Sequence, residues 1–228
     1  PAYVWQAQID HFARDYRVIA LDPRGQGQSS IPANGYTAER RALDIKELID
    51  RLGDRPVVLT GWSLGVLETL AYVRQHGDAR VAALVLVDNS IGEEPPPVSD
   101  PTFLPRLRSD QKATVRRFVR GMHRTPQDER YLDRLTASAL RVPLDASLAL
   151  LNYNQPRQYW KETVYATRKP LLYIVNNRFR GQALNLEKNR PGSRIAVFKN
   201  AGHALFVDEP KRFNQVLGDF LTREVWPR

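Results

Sequence analysis

The 228 residues carry 34 Lys and Arg against 25 Asp and Glu, a net charge of +9, with 42% hydrophobic and 26% charged residues. That balance excludes disordered, collagen-like and fibrous chains and supports one large domain, or one domain with a sizeable insertion. With no cysteine, disulfide frameworks, thiolate metal sites and a cysteine nucleophile drop out. The longest strand-type apolar run, residues 81–87, falls far short of the ~20 residues that span a bilayer, so no transmembrane segment is expected. The chain opens at Pro1 without a leader and its one methionine is Met122, so an upstream segment is expected to be missing. Basic residues such as Arg116, Arg117 and Arg120 sit on the polar side of a helical pattern. They read as a solvated face, and no nucleic-acid partner is expected.

In chain order, Trp5, Ile9 and Phe12 keep helical spacing, and the β-branched run 18–21 ends at Asp22-Pro23-Arg24-Gly25, which predicts helix, strand and turn. Thr37 is the expected N-cap of a second helix, whose Ile45, Leu48, Ile49 and Leu52 recur at i, i+3, i+4, i+7 before Gly53. Residues 57–60 form a buried strand, Gly61-Trp62-Ser63-Leu64-Gly65 follows, and another helical stretch runs to His76-Gly77. Further strands are predicted at 81–87, 171–175 and 195–198. Phe213, Val216, Leu217, Phe220 and Leu221 make the stripe of a closing helix with Pro210 in its first turn. Between 87 and 170 no strand run appears. That stretch begins with Glu93-Glu94-Pro95-Pro96-Pro97, an extended connector whose glutamates are expected to face water. Val115, Phe118, Val119 and Met122, then Leu132, Leu135 and Ala139, keep helical spacing. The expected fold class is α/β, a mostly parallel sheet flanked by helices, with its N-terminal strands missing. Residues 1–94 and 166–228 form the core and residues 95–165 a helical insertion.

Gly61-Trp62-Ser63-Leu64-Gly65 is the most informative pentapeptide. It follows a buried strand and opens a helix, where flanking glycines permit a tight bend and leave a serine hydroxyl above the sheet edge. Free N–H groups at the helix start face developing negative charge. The competing explanation is a serine that only caps the helix. A serine nucleophile needs a base. His11, His76 and His123 read as surface or packing residues, whereas His203, on a loop after strand 195–198, could return to the strand tops; a structural role capping that loop is the alternative. The Gly25-Gln26-Gly27 turn is not a dinucleotide cradle, because Ser30 replaces the third glycine and Glu47 lies on a helix. No His, Asp and Glu cluster has metal-ligand spacing. No metal or other cofactor is expected.

Asp22-Pro23-Arg24-Gly25-Gln26-Gly27-Gln28-Ser29 after a strand, the Gly-Trp-Ser-Leu-Gly elbow, and Gly202-His203 with Asp208-Glu209-Pro210 together resemble the α/β-hydrolase fold superfamily, nearest to its lid-bearing esterases and cofactor-free haloperoxidase-like members. The resemblance implies Ser63 as nucleophile, His203 as general base and the Leu64 N–H as one oxyanion donor, with the second donor in a His-Gly loop upstream of Pro1. It implies a lid role for residues 95–165. Two departures stand out. The family acid normally follows the strand matched by 171–175, but here the chain reads Asn176-Asn177-Arg178-Phe179-Arg180, and the only carboxylate from there to His203 is Glu187. Some members place the acid after the preceding strand, a position held by Asp88, which could equally satisfy a loop or helix terminus. Asn177 would be an uncharged substitute.

The expected function is therefore serine hydrolysis by acyl transfer, most simply of a small carboxylic ester, with an amide, a lactone or a C–C bond beside a ketone behind it. Trp62, beside the nucleophile, and Met122 and Trp160 of the insertion are the expected substrate contacts. An inert ligand-binding relic on the same fold and an acyltransferase are the alternatives. The partner is a small molecule. Oligomeric state is left open, as is the compartment, with the cytoplasm favoured.

Overall fold

The computed structural model describes residues 1–227. In chain order the regular elements are α1 (Gln6–Phe12), α2 (Ala38–Asp50), β1 (Val57–Trp62), α3 (Leu64–His76), β2 (Val81–Val87), α4 (Phe103–Ser109) and α5 (Gln111–Gly121). Then come α6 (Glu129–Leu140), α7 (Leu144–Leu150), α8 (Arg157–Ala166), β3 (Leu171–Asn176), α9 (Arg180–Asn189), β4 (Arg194–Phe198), α10 (Leu205–Asp208) and α11 (Pro210–Phe220). The chain separates into two compact units. One comprises Pro1–Tyr36, Ser99–Leu151 and Asn200–Asn214; the other comprises Thr37–Val98, Asn152–Lys199 and the chain from Gln215 onward.

The second unit holds a four-stranded, wholly parallel sheet in the order β1-β2-β3-β4. Parallel strands are covered on both faces and so read as near-continuous apolar runs. β2 meets that expectation, with six of its seven residues buried. On one face Leu84, Leu86, Leu171, Tyr173 and Val175 join Ala42, Ile45 and Ile49 of α2, Val66, Leu70 and Val73 of α3, Trp160 and Val164 of α8, and Ala183 and Leu186 of α9 in a single apolar cluster. Each of the large aliphatic side chains contributes about 1.5–3 kcal/mol on burial, and the alanine methyls less. Thr37 caps α2 as expected, its Oγ1 accepting from the Arg40 N–H at 3.2 Å, and Pro210 is the first residue of α11. Inside the cluster's rim, Arg41 Nε donates to Glu68 Oε1 at 2.8 Å, both side chains being almost wholly buried.

The structure departs from the sequence pattern at two places. Residues 18–21 form no strand and carry no ladder, and Val18, Ile19 and Leu21 are 37–43% exposed. β-branched composition suits a pleated surface, but a strand exists only where a neighbour completes its hydrogen bonds. The second is Glu93, which is 1% exposed and does not face water as its place in the connector suggested. Its Oε1 accepts from Lys161 Nζ and the Glu94 N–H, both at 2.9 Å, and its Oε2 from the Tyr165 hydroxyl at 2.5 Å. Between β2 and β3 there is indeed no strand among the described residues, and α4 to α8 occupy that stretch.

The first unit is helical. The Trp5 ring stacks on Phe206 at 3.8 Å and tilts against Phe213 at 6.1 Å, and the buried Gln8 amide bridges the Phe206 carbonyl (3.2 Å) and Asn214 Oδ1 (3.1 Å). The Asp22 turn is ordered by its own carboxylate, which accepts from the Ala2 N–H at 2.5 Å and the Gln28 N–H at 2.9 Å. Gly27, at φ +53°, leaves no room for a side chain there, since a Cβ would lie 2.0 Å from the Asp22 carboxyl carbon.

Candidate active site

Ser63 sits between β1 and α3 with φ 55° and ψ −126°. Among the described residues only two non-glycines have positive φ, Ser63 and Asp88 (φ 51°), a conformation that costs of order 1–3 kcal/mol each and persists only where its surroundings enforce it. For Ser63 the enforcement is visible. Its N–H donates to the Val87 carbonyl at 2.9 Å, and its carbonyl accepts from the Val66 N–H at 2.9 Å and from Asn89 Nδ2 at 2.8 Å. Gly61 allows the close approach of strand and helix, because a Cβ there would fall 2.2 Å from the Gly65 carbonyl oxygen. The serine occupies the N-cap position but makes no side-chain cap hydrogen bond, which removes the capping explanation for its presence. Leu64 is the first residue of α3, and first-turn amides have no acceptor within their own helix. Trp62, the last residue of β1, is half-buried.

Asp88 follows β2 and is 1% exposed. Parallel pairing of Val87 with Ile174 sets it beside the end of β3, where its Oδ1 accepts from the Asn176 N–H (2.7 Å) and its Oδ2 from Asn176 Nδ2 (3.1 Å). A buried carboxylate with two such donors is held in one orientation. Asn177 is exposed and gives its amide to the Lys199 carbonyl at 3.2 Å, and Glu187 is exposed on α9. Behind the elbow, the Tyr173 hydroxyl donates to the Asn89 carbonyl at 2.7 Å. Burial, and then the charge of Asp88, keep that phenol well above its ordinary range and therefore protonated.

In the helical unit, His203 lies on the loop between β4 and α10 and is half-buried. The flanking Gly202 N–H donates to Asp208 Oδ2 at 2.7 Å and the Ala204 N–H to the Met122 carbonyl at 2.9 Å, with the Phe118 ring edge-on at 6.2 Å. Of the other histidines, His11 is exposed beside Phe12, His76 rests against Tyr72, and His123 lies edge-on to Tyr131 at 5.7 Å. Burial, with a smaller push from the charge of His203, holds His123 below the ordinary imidazole value despite the opposing pull of Asp208.

Ser63, Leu64, Trp62 and Asp88 thus share the sheet unit, while His203 and Met122 share the helical one. Met122 and Trp160 are each 5% exposed, and the Trp160 ring belongs to the apolar cluster of the sheet unit. Residue patterns did not single out Asn89 or Asn176, whose signal is only a polar residue just past a buried strand.

The family model described as alpha/beta hydrolase fold matches residues 2–178. The chain belongs to that family. A Bacillus subtilis (strain 168) protein provisionally named a 2-succinyl-6-hydroxy-2,4-cyclohexadiene-1-carboxylate synthase is 27% identical over 234 residues, covering 94% of this chain and 84% of that protein. A non-heme haloperoxidase of Rhodococcus erythropolis is 41% identical over 93 residues, 40% of this chain and 32% of that protein. Among solved structures, one provisionally assigned as an aryl esterase of Burkholderia cenocepacia is 27% identical with a TM-score of 0.84, covering 96% of this chain and 85% of that one. Esterase and hydrolase names recur among the relatives, and no described helix is long and apolar enough to cross a membrane.

Proposed function

We propose that the chain is a serine hydrolase that cleaves a small carboxylic ester through an acyl-enzyme. In this reading Ser63 Oγ attacks the ester carbonyl while His203 takes its proton, and the Leu64 N–H receives the oxyanion. His203 then protonates the departing alkoxide and afterwards activates the water that releases the acid. Asp88 is the proposed partner of the outer imidazole nitrogen, fixing the tautomer and stabilising the imidazolium. Its burial and its two hydrogen bonds from Asn176 support that choice over the exposed Asn177. Trp62 is the proposed substrate contact beside the nucleophile, and residues 95–165 the proposed lid, with Met122 and Trp160 shaping acyl-group preference from its packing.

The observation that carries the reading is the strained elbow. A serine is held at φ 55° between a parallel strand and a helix without serving as that helix's cap. Strain maintained at such a turn marks a side chain presented for chemistry. The test is labelling with a fluorophosphonate, mapped by mass spectrometry. One equivalent on Ser63, lost in Ser63→Ala, supports the reading. An unreactive chain that still binds ester analogues would assign it to inert binding, and ester products formed from added alcohols would assign it to acyl transfer.

A further inference from the structure

The loop that carries His203 is tied on both sides to one segment, the stretch that follows α5. Ala204 reaches it directly, through its N–H to the Met122 carbonyl at 2.9 Å. Gly202 reaches it through Asp208. The Asp208 carboxylate accepts four hydrogen bonds: Oδ2 from the Gly202 N–H (2.7 Å) and the Arg124 N–H (2.9 Å), Oδ1 from the Thr125 N–H (3.0 Å) and the Thr125 hydroxyl (2.6 Å). The two strands of this knot approach closely, since a Cβ on Gly202 would lie 2.6 Å from the Met122 carbonyl oxygen and 3.0 Å from the Arg124 nitrogen. The histidine's backbone is thus fixed at the residue before it and the residue after it.

We propose that Asp208 is a positioning residue for the general base, clamping the His203 loop to the Met122–Thr125 segment. This rests on His203 being the base in the reading above. Its chemistry suits the task, because a carboxylate alone among short side chains offers enough lone pairs for four donors on two oxygens. An asparagine has one carbonyl oxygen, so whichever way its amide turns, one pair of donors faces an NH2 group. Burial tends to raise the Asp208 pKa, but the bonds from Thr125, Arg124 and Gly202 outweigh it and hold the group below the ordinary carboxylate range, so it stays ionised at neutral pH. The consequence is that α5 and its trailing loop, within the proposed lid, set where the imidazole stands. Misplacement of a catalytic group by about 1 Å can cost on the order of a hundredfold.

The experiment compares the parent, Asp208→Asn and Thr125→Val, which removes only the hydroxyl donor. Each is assayed well below its melting temperature for fluorophosphonate labelling of Ser63, for kcat and KM on p-nitrophenyl acetate, and for the His203 ring resonances by NMR. Asp208→Asn is expected to lower labelling rate and kcat at least about tenfold with KM within about twofold, and to shift and broaden the His203 signals; Thr125→Val should lose about threefold with a smaller shift. A folded Asp208→Asn with parent kcat and unmoved His203 signals overturns the proposal. If that variant does not fold, Thr125→Val decides, and parent kcat with unmoved signals in it overturns the proposal too. A parent that takes no label at Ser63 is distinct: it removes the serine-hydrolase reading itself, and this proposal with it.

Discussion

The two glycines of Gly61-Trp62-Ser63-Leu64-Gly65 are equivalent in the motif and unequal in the structure, and substituting each by alanine separates the two descriptions. A Cβ on Gly61 would meet the Gly65 carbonyl oxygen at 2.2 Å, its carbonyl carbon at 2.5 Å and Thr69 Oγ1 at 2.6 Å, whereas a Cβ on Gly65 would meet nothing within 4 Å. The obstacle at Gly61 is backbone, so relief requires β1 and α3 to part by more than about 1 Å, since the contact at 2.2 Å must open to the 3.4 Å at which ordinary contact begins. Overpacking of this kind costs about 1–3 kcal/mol, and the smaller chain entropy of alanine returns only about 0.4–1. Gly61→Ala should therefore lose about 1–2 kcal/mol net, a fall in Tm of about 2–8 °C for a chain of this size. Because the parting moves Ser63, labelling should slow by one to two orders of magnitude. Gly65→Ala, inside α3, should be neutral or gain up to about 1 kcal/mol from helix propensity. Calorimetry and labelling rate on both variants provide the assay. A tolerated Gly61→Ala, or a Gly65→Ala as damaging as Gly61→Ala, would refute the steric account of the elbow.

Asp88→Asn should lower kcat by about a hundredfold or more with KM nearly unchanged; parent turnover there, with a large loss in Asn177→Ala, would move the orienting role to Asn177. Arg41→Ala strands the buried Glu68 carboxylate and should cost about 3–5 kcal/mol in urea unfolding, against less than 1 if the pair is dispensable. Glu93 is pushed up by burial but pulled further down by the Tyr165, Lys161 and Glu94 hydrogen bonds, so its folded pKa lies below its unfolded one. Its contribution is present above the unfolded carboxylate pKa and lost as pH falls through the folded one, so Glu93→Gln should cost about 2 kcal/mol at neutral pH and progressively less in acid. A cost independent of pH would mean the charge plays no part.

The strands 81–87 and 171–175 were legible because parallel strands buried on both faces are written as unbroken apolar runs, and 195–198, though only half-buried along most of its length, is written the same way. Residues 18–21 have a similar composition, but composition does not announce whether a neighbour completes a segment's hydrogen bonds. Ser63 could be read from its glycines, its strand and its helix, all local. The partners that define the site's surroundings are not local. Asn176 meets Asp88 only through the β2–β3 register, 88 positions away, and Asp208 collects donors from Arg124 and Thr125, more than 80 positions upstream. Glu93 misled for the same reason, since its charge invites water and only the fold supplies Lys161 and Tyr165.

Whether Ser63 carries the acyl group is read by rapid acid quench of the chain turning over p-nitrophenyl acetate, followed by mass spectrometry of the Ser63 peptide. A covalent acyl-enzyme gives a burst of p-nitrophenol approaching one equivalent and an acetyl group on Ser63, with both absent in Ser63→Ala. Parent-rate hydrolysis by Ser63→Ala, or an acetyl group carried on another residue, would contradict it.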